Sequence, residues 1–288
     1  MVLISARIGT EVFLPIFIST AWILCLVLFR KHNRNIYLAL SALILGIGFY
    51  SYKGMRLIVP LWGISTVMYI FYNNFTKRAT IKKKLMAQLL VFTLTIAPFF
   101  LIIPFLEQKY PGGVLDRTQI HLETYRHYAL YWLSNLSLSQ MFVQGDTGRV
   151  YVAELYGVFL LGSLPLFLLG VKRSIDKPSF YTFILFSYLI TPALFGMSGS
   201  MGYGHRLAAM IPQFVIIATL GFQAFSDYLN KTKKNTGQLT LFKTVGILTV
   251  GFYIINFFNF SRYYYFEYPR LNSTKESFRN NLNQAFYG

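Results

Sequence analysis

Charged residues are scarce in this chain. They make up 13% of its 288 residues, whereas a soluble globular protein averages about 25%. Hydrophobic residues reach 55% and aromatic residues 18%, so too few polar side chains remain to cover a surface that faces water. This composition excludes a soluble enzyme and a disordered chain. It predicts an all-α polytopic membrane protein.

Other absences narrow the chemistry. The single cysteine, Cys25, has no second cysteine to pair with, so neither a disulfide framework nor a thiolate metal site can form. No two acidic residues lie within five positions of each other, which leaves no Asp-x-Asp motif and no adjacent pair of carboxylates. The four histidines lack metal-ligand spacing, and no Gly-x-x-x-x-Gly-Lys loop is present. We therefore identify no cofactor site, leave a divalent metal open, and find no support for ATP-driven transport.

Eight apolar runs, each bounded by charged residues, approach the roughly 17–25 residues that a helix needs to cross a bilayer. Because backbone polar groups must be paired inside lipid, we expect each run to be helical. The sequence thus predicts about eight transmembrane helices in a membrane domain over 1–260, followed by an outer-face aromatic and polar tail over 261–288. The runs cover 12–29, 36–52, 57–74, 87–106, 155–171, 179–197, 207–228 and 244–260.

Basic residues are concentrated in four of the connections. The segments 30–35, 75–86, 172–178 and 229–243 hold 15 of the 27 Lys and Arg residues, and the positive-inside rule places them in the cytoplasm. The outer side then receives both termini, the long loop 107–154 and eight of the ten acidic residues. The net charge of +17 indicates anionic membrane lipids as partners, not nucleic acid. We expect a bacterial or archaeal plasma membrane.

Two cations lie in a tight connection that this topology puts on the outer side. Lys53 and Arg56 stand where the positive-inside rule does not place basic residues. Two cations at an outer boundary suit a lipid-linked phosphate or diphosphate. Alternatively, both side chains reach to lipid headgroups as membrane anchors.

Two further pairs are candidates for the same site. Arg7 and Glu11 are four residues apart and would share a helix face, either as a local ion pair or as ionisable site residues. Within the outer loop 107–154, Asp146 and Arg149 either contact a sugar or phosphate, or belong to a turn whose Asp caps a helix.

A glycine-rich connection provides the last candidates, Tyr203, His205 and Arg206. No strand precedes its glycines, so it is not a dinucleotide-binding loop, and it is either a structural turn or part of the site. We expect Lys53, Arg56, Asp146, Arg149 and His205 to converge with Arg7 and Glu11 at one outer-face groove. The outer side also holds the sequons at Asn135 and Asn272, which matter only in a eukaryotic secretory compartment.

Several segments, taken in order, resemble the later part of the membrane domain of GT-C type glycosyltransferases. The resemblance is to the bacterial protein O-mannosyltransferase and aminoarabinose transferase group, and it extends over essentially the whole chain. The segments that carry it are Ser5-Ala-Arg-Ile-Gly-Thr-Glu11, Gly48-Phe-Tyr-Ser-Tyr-Lys-Gly-Met-Arg56 before Val59-Pro60, Phe142-Val-Gln-Gly-Asp146, Leu155-Tyr-Gly157 with Leu164-Pro-Leu and Leu169-Gly, His205-Arg206 before Ile211-Pro, and Tyr265-Phe-Glu-Tyr-Pro269.

This resemblance implies transfer of a sugar from a polyprenyl-phosphate donor to a protein, lipid or glycan acceptor at the outer face. It also implies inversion at the anomeric carbon, with a carboxylate of the first outer loop as base. In the family that loop precedes the segment similar to Ser5–Glu11. We therefore expect this chain to lack the base and to be inactive alone, with Glu11 and Asp146 as the fallback candidates for the catalytic residue.

Two other classes of function stay open. A transporter or flippase of lipid-linked saccharides is also basic, aromatic and many-spanned, but it predicts charged residues deep in its spans, broken helices and internal repeats. The runs identified above contain almost no ionisable residues at mid-depth, and the sequence shows no repeat. A membrane scaffold without catalysis leaves the long acidic outer loop unexplained.

Overall fold

The computed structural model describes residues 14–52, 54–75, 81–114, 125–143, 156–176, 180–193, 204–231, 236–267 and 270, which are mostly helical and contain no strand. The α-helices in these ranges are α1 (Leu14–His32), α2 (Asn35–Ser51), α3 (Met55–Phe75), α4 (Ile81–Leu101), α5 (Ile103–Lys109), α6 (Tyr125–Asn135), α7 (Leu138–Phe142), α8 (Leu164–Asp176), α9 (Phe180–Ile190), α10 (Ile211–Lys231) and α11 (Thr236–Arg262). Short 3-10 helices precede α8 and α10, at Leu161–Ser163 and Gly204–Met210, and a π-helix, Tyr263–Glu267, follows α11.

Five helical segments of the described chain are long and apolar enough to cross a membrane, as expected of an integral membrane protein. Helix α2, with 17 residues, and helix α9, with 11, are apolar but shorter. At its length, α9 rises about 16 Å, roughly half of a hydrocarbon layer about 30 Å thick. The count of about eight spans is therefore not confirmed. The five segments are Leu14–His32, Met55–Asn74, Lys83–Lys109, Leu207–Asn230 and Lys243–Glu267.

The run 155–171, predicted as one span, is only partly helical. Residues 156–160 form no helix, and the Phe159 N–H donates to the Met141 carbonyl at 2.8 Å. Gly157 lies so close to α7 that a Cβ there would be 2.6 Å from the Met141 carbonyl oxygen. This segment packs against the backbone of α7 instead of extending α8 toward the outer side.

The helix ends that border the four basic connections meet at one end of the bundle. The Arg30 guanidinium, near the end of α1, lies 5.6 Å from the centroid of the Phe180 ring at the start of α9. Tyr69, near the end of α3, packs edge-on against the same ring at 5.3 Å. The ends of α8 and α10 are joined by the ion pair of Arg173 with Asp227 at 2.6 Å. We call this the basic end and the opposite one the outer end.

Two stacked indoles form the centre of the bundle. Trp22 of α1 and Trp62 of α3 are fully buried, and their ring centroids are 4.7 Å apart. Trp22 Nε1 donates to Thr66 Oγ1 at 3.1 Å, and Trp62 Nε1 donates to Thr191 Oγ1 at 3.0 Å. Both indole N–H groups thus have acceptors, as a buried polar group requires.

Glycines bring α8 and α10 into close contact. A Cβ at Gly170 would overlap the Ile217 carbonyl oxygen, and one at Gly221 would overlap the Leu166 carbonyl oxygen. Small residues of this kind let helix backbones approach in a membrane. The glycine contacts mark the crossing of residues 166–170 with residues 217–221, and farther along both helices Arg173 pairs with Asp227. Hence α8 and α10 run parallel, and both end at the basic end.

Helices α4 and α11 lie at the periphery. Only 6% of the span in α4–α5 and 11% of the span in α11 are buried, against 39–56% for the spans in α1, α3 and α10. Helix α11 approaches the bundle through Tyr253, whose backbone lies against Gly162, and through Gly246, which packs against the Phe225 ring. Most of its large apolar side chains are exposed and face the position that lipid would occupy.

Candidate functional site at the outer end

Arg56 is the predicted site residue whose side chain the structure describes. It lies in the first turn of α3, at the outer end, and is partly buried. Its Nη1 donates to the Val114 carbonyl at 2.5 Å, while its Nε is buried without a hydrogen-bond partner in the described part of the chain. A cation in the first turn is unfavourable for the helix dipole. The guanidinium of Arg56 and the N-terminal end of the α3 dipole together create a positive potential at this point, which favours binding of an anion.

Glu107, at the end of α5, fixes the segment that receives Arg56. Its two carboxylate oxygens accept the N–H groups of Val114 at 2.6 Å and of Gly112 at 2.9 Å. Gly112 has φ +76°, a conformation that glycine adopts without strain. The carboxylate is therefore engaged in shaping the turn 110–114, and Arg56 binds the carbonyl of the same Val114. Arg56, Glu107 and this turn form what we call the outer clamp.

A tyrosine secures the helix end that precedes the clamp. Tyr50 Oη donates to the Phe99 carbonyl at 2.5 Å, which joins the end of α2 to α4. Phe99 lies in the last turn of α4, where carbonyl groups lack the N–H partners that they would have inside a helix. The connection that carries Arg56 therefore starts from a fixed point.

The long outer loop packs onto the bundle through α6 and α7. Trp132 Nε1 donates to the Leu189 carbonyl at the end of α9, at 2.9 Å. Met141 and Phe142 of α7 are almost fully buried. Burial raises the pKa of the Tyr128 phenol on α6 above its ordinary value, so the phenol stays neutral and remains a hydrogen-bond donor near pH 7. The described part of the loop is thus a structured cover on the bundle.

Asn135, the first of the two sequons, is inaccessible. Its side chain is fully buried, and its Nδ2 donates to the Tyr131 carbonyl at 2.7 Å within α6. Transfer of a glycan requires an exposed amide nitrogen, so this sequon is not a glycosylation site in the folded protein.

Most of the other predicted site residues lie outside the described residues. These are Arg7, Glu11, Lys53, Asp146, Arg149 and Tyr203. His205 and Arg206 have a described backbone, in the 3-10 helix before α10, but their side chains are not described. The residues that follow them, Leu207 to Met210, are fully buried or nearly so, which fixes this 3-10 helix on the bundle. The convergence of the candidates at one groove stays a prediction.

The tyrosine-rich stretch after the last predicted span is partly internal. Tyr263 and Tyr264 are buried against Phe260 and Tyr156, whereas Tyr265 and Phe266 are exposed. Exposed aromatic rings at this position suit a membrane–water interface. The π-helix, a form often found at functional sites, places the first two rings inside and the next two outside.

Sequence reasoning passed over Glu107 as a site residue. The signal was present: Pro111-Gly-Gly marks a turn that begins four residues after this acid.

The described residues contain no group of three His, Cys, Asp or Glu side chains that would hold a metal ion. No family model matches the chain, and neither a curated protein nor a solved structure matches it significantly.

Proposed function

We propose that the chain is a membrane glycosyltransferase that moves a sugar from a polyprenyl-phosphate donor to an acceptor at the outer face. A donor that is already a phosphate ester needs no nucleotide, and the sequence has no nucleotide-binding loop. The reaction requires a cation for the phosphate leaving group, a base for the acceptor and an apolar surface for the prenyl chain. Glu11 and Asp146 are the candidates for the base.

Arg56 is the observation that carries the proposal. It combines a buried Nε, which has no acceptor in the described part of the chain, with a place at the N-terminus of a helix. A guanidinium has five N–H donors in a planar fork, of which the Val114 carbonyl engages Nη1. A phosphate oxygen would supply an acceptor to the remaining donors, at the level where a lipid carrier holds its phosphate.

The interior favours this activity over transport. Among the described residues, the buried polar side chains are uncharged Ser, Thr, Asn and Gln. Transporters of charged or polar cargo place ionisable residues at mid-depth in the membrane. A flippase of lipid-linked saccharides is therefore the second candidate, and it predicts movement of the donor between leaflets without transfer of its sugar.

The test measures binding of a polyprenyl phosphate to the purified chain in detergent micelles. Arg56→Gln should weaken binding about tenfold or more, because a hydrogen bond to a charged group contributes about 1.5–3 kcal/mol. Arg56→Lys should retain part of the affinity through its charge. Arg34→Gln, which removes an exposed cation beside the start of α2 at the basic end, is the matched control and should leave binding unchanged.

A second variant separates binding of the ligand from anchoring of the turn. Glu107→Gln weakens the outer clamp and leaves Arg56 in place, so it should reduce affinity much less than Arg56→Gln does. Equal losses in the two variants would show that Arg56 only anchors the turn, which would contradict the proposal. In proteoliposomes, release of labelled sugar to an acceptor distinguishes transfer from movement of intact donor across the bilayer.

A further inference from the structure

A cavity opens where α8 and α10 separate. The two helices are in closest contact at Gly170 and Gly221, and both continue from there toward the basic end. Beyond the glycines, a cavity of about 150 Å³ lies between them. Pockets that hold drug-sized ligands measure about 300–1,000 Å³. This cavity therefore has room for a small polar group rather than for a whole metabolite.

The charges around the cavity are balanced. Its walls carry Lys172, Arg173, Asp176 and Asp227, which gives two positive and two negative charges. The rest of the chain is strongly basic, with a net charge of +17. A purely basic pocket on the cytoplasmic side of a membrane would favour anionic lipid headgroups. A neutral pocket of two opposite charge pairs instead complements a zwitterion.

The central ion pair leaves hydrogen-bonding capacity on both partners. Arg173 Nη1 contacts Asp227 Oδ2 at 2.6 Å, which uses one of five guanidinium N–H donors and one of two carboxylate oxygens. Both side chains are partly exposed, at 26% and 56%, so a ligand can reach them. Lys172 and Asp176, one helical turn apart on α8, add a second cation and a second carboxylate to the same cavity.

The remaining walls suit a lipid. Leu169 and Ala224 line the cavity on the side of the bundle interior, and Tyr228 lines it as well. Tyrosines are enriched at membrane–water interfaces, where one end of the side chain is apolar and the other wet. Along the two helices, the cavity is thus charged at the end near the basic connections and apolar at the end near the glycines, the order in which a phospholipid presents its headgroup and its acyl chains.

We propose that this cavity binds the headgroup of a phosphatidylethanolamine molecule of the membrane. The phosphate lies against Lys172 and Arg173, and the primary ammonium donates to the carboxylates of Asp176 and Asp227. A primary ammonium has three N–H donors for these two carboxylates. Replacing them with methyl groups, as in phosphatidylcholine, removes the donors and enlarges the group.

Native mass spectrometry of the purified protein with defined lipids tests the proposal. Retention should be greatest for phosphatidylethanolamine and should fall stepwise through its monomethyl and dimethyl derivatives to phosphatidylcholine, by about tenfold or more overall. Equal retention of phosphatidylethanolamine and phosphatidylcholine would overturn the role of the carboxylates. Stronger retention of phosphatidylglycerol would identify an anion site instead. Binding of soluble glycerophosphoethanolamine, without preference for the lipid, would overturn the membrane source.

Variants localise the effect. Asp227→Asn and Asp176→Asn should each abolish the preference for phosphatidylethanolamine, because each removes a carboxylate that accepts from the ammonium. The matched control is Arg262→Gln, which removes the exposed ion pair of Arg262 with Glu267 at the outer end and should leave the preference intact. Because Asp227→Asn also breaks the contact with Arg173, the thermal unfolding temperature of each variant is measured in parallel. A preference that survives in both cavity variants of unchanged stability would contradict the assignment.

Discussion

Helices α10 and α11 are both long and apolar, yet they occupy opposite environments. Over half of the span in α10 is buried in the bundle, at 56%, while 11% of the span in α11 is buried. Gly221 of α10 sits against the backbone of α8, whereas a Cβ at Gly251 of α11 would have nothing within 4 Å. Both helices are thus long and apolar enough to cross a membrane, and close backbone contact distinguishes the interior helix from the peripheral one.

The difference follows from the solvent. In a bilayer, lipid tails are as apolar as leucine, so apolar surface alone does not drive helices together. Close packing and hydrogen bonds between helices drive their association instead. In the described chain these contacts are concentrated in α1, α3, α8 and α10. Substitutions in these interior helices should lower the free energy of unfolding, and matched substitutions in α11 should leave it nearly unchanged.

The largest effect is expected from truncation of the central aromatic stack. Trp62→Ala should lower the free energy of unfolding by about 3–5 kcal/mol, because it removes the ring stacked on Trp22 and the donor to Thr191. Phe258→Ala, at a residue 66% exposed on α11, should change it by less than about 0.5 kcal/mol. Unfolding of both variants by SDS in mixed micelles measures the two values. Similar losses would remove the distinction between interior and peripheral helices.

A smaller effect is expected at the crossing of α8 and α10. Gly221→Ala adds a methyl group where the Leu166 carbonyl already lies, which should cost about 1–3 kcal/mol. The same substitution at Gly251 meets open space and should be neutral or slightly stabilising, since alanine has the higher helix propensity. Thermal unfolding in detergent compares the two. An equal unfolding temperature in both variants would show that the helices separate to accept the methyl group at little cost.

The smallest effect is expected from a single interior hydrogen bond. Thr66→Val removes the acceptor of the Trp22 indole N–H and should cost about 0.6 kcal/mol, the average for such bonds in membranes. Its control is Thr249→Val on α11, where the hydroxyl bonds only to the Val245 carbonyl of its own helix and nothing should change. Urea or SDS titrations with a tryptophan fluorescence readout resolve the pair. A loss at Thr249 equal to that at Thr66 would contradict the expected contrast.

Much of the class of fold was predictable from the sequence, because the bilayer imposes length and composition on every span. The helix ends that border the four basic connections do lie together, as the contacts of Arg30, Tyr69 and Arg173 show, and their cytoplasmic location stays a prediction. Which helices are interior was not predictable, since α10 and α11 differ in contacts more than in composition. The non-helical segment 156–160 was missed because its order comes from the backbone of α7, and hydropathy does not record such pairing.

The candidate site was less predictable than the fold. Lys53 and Arg56 were identified from an unusual charge on the outer side, and Arg56 does lie at that end. Its acceptor is a backbone carbonyl 58 positions later. Every residue has a backbone carbonyl, so the sequence does not show which one accepts the hydrogen bond. Glu107 acts in the same way on two backbone amides. Contacts between side chains and distant backbone require coordinates.

The contact between Ser19 and Gln213 can form only late in synthesis of the chain. These buried side chains, 3.2 Å apart in the fold, are separated by 194 positions in the chain. At about 5–20 residues per second, a ribosome needs about 10–40 s to make the intervening segment. During that interval the polar face of α1 is already in the membrane without its partner. Helix α1 is thus made well before this contact can form, and Ser19 lacks this partner until α10 is synthesised.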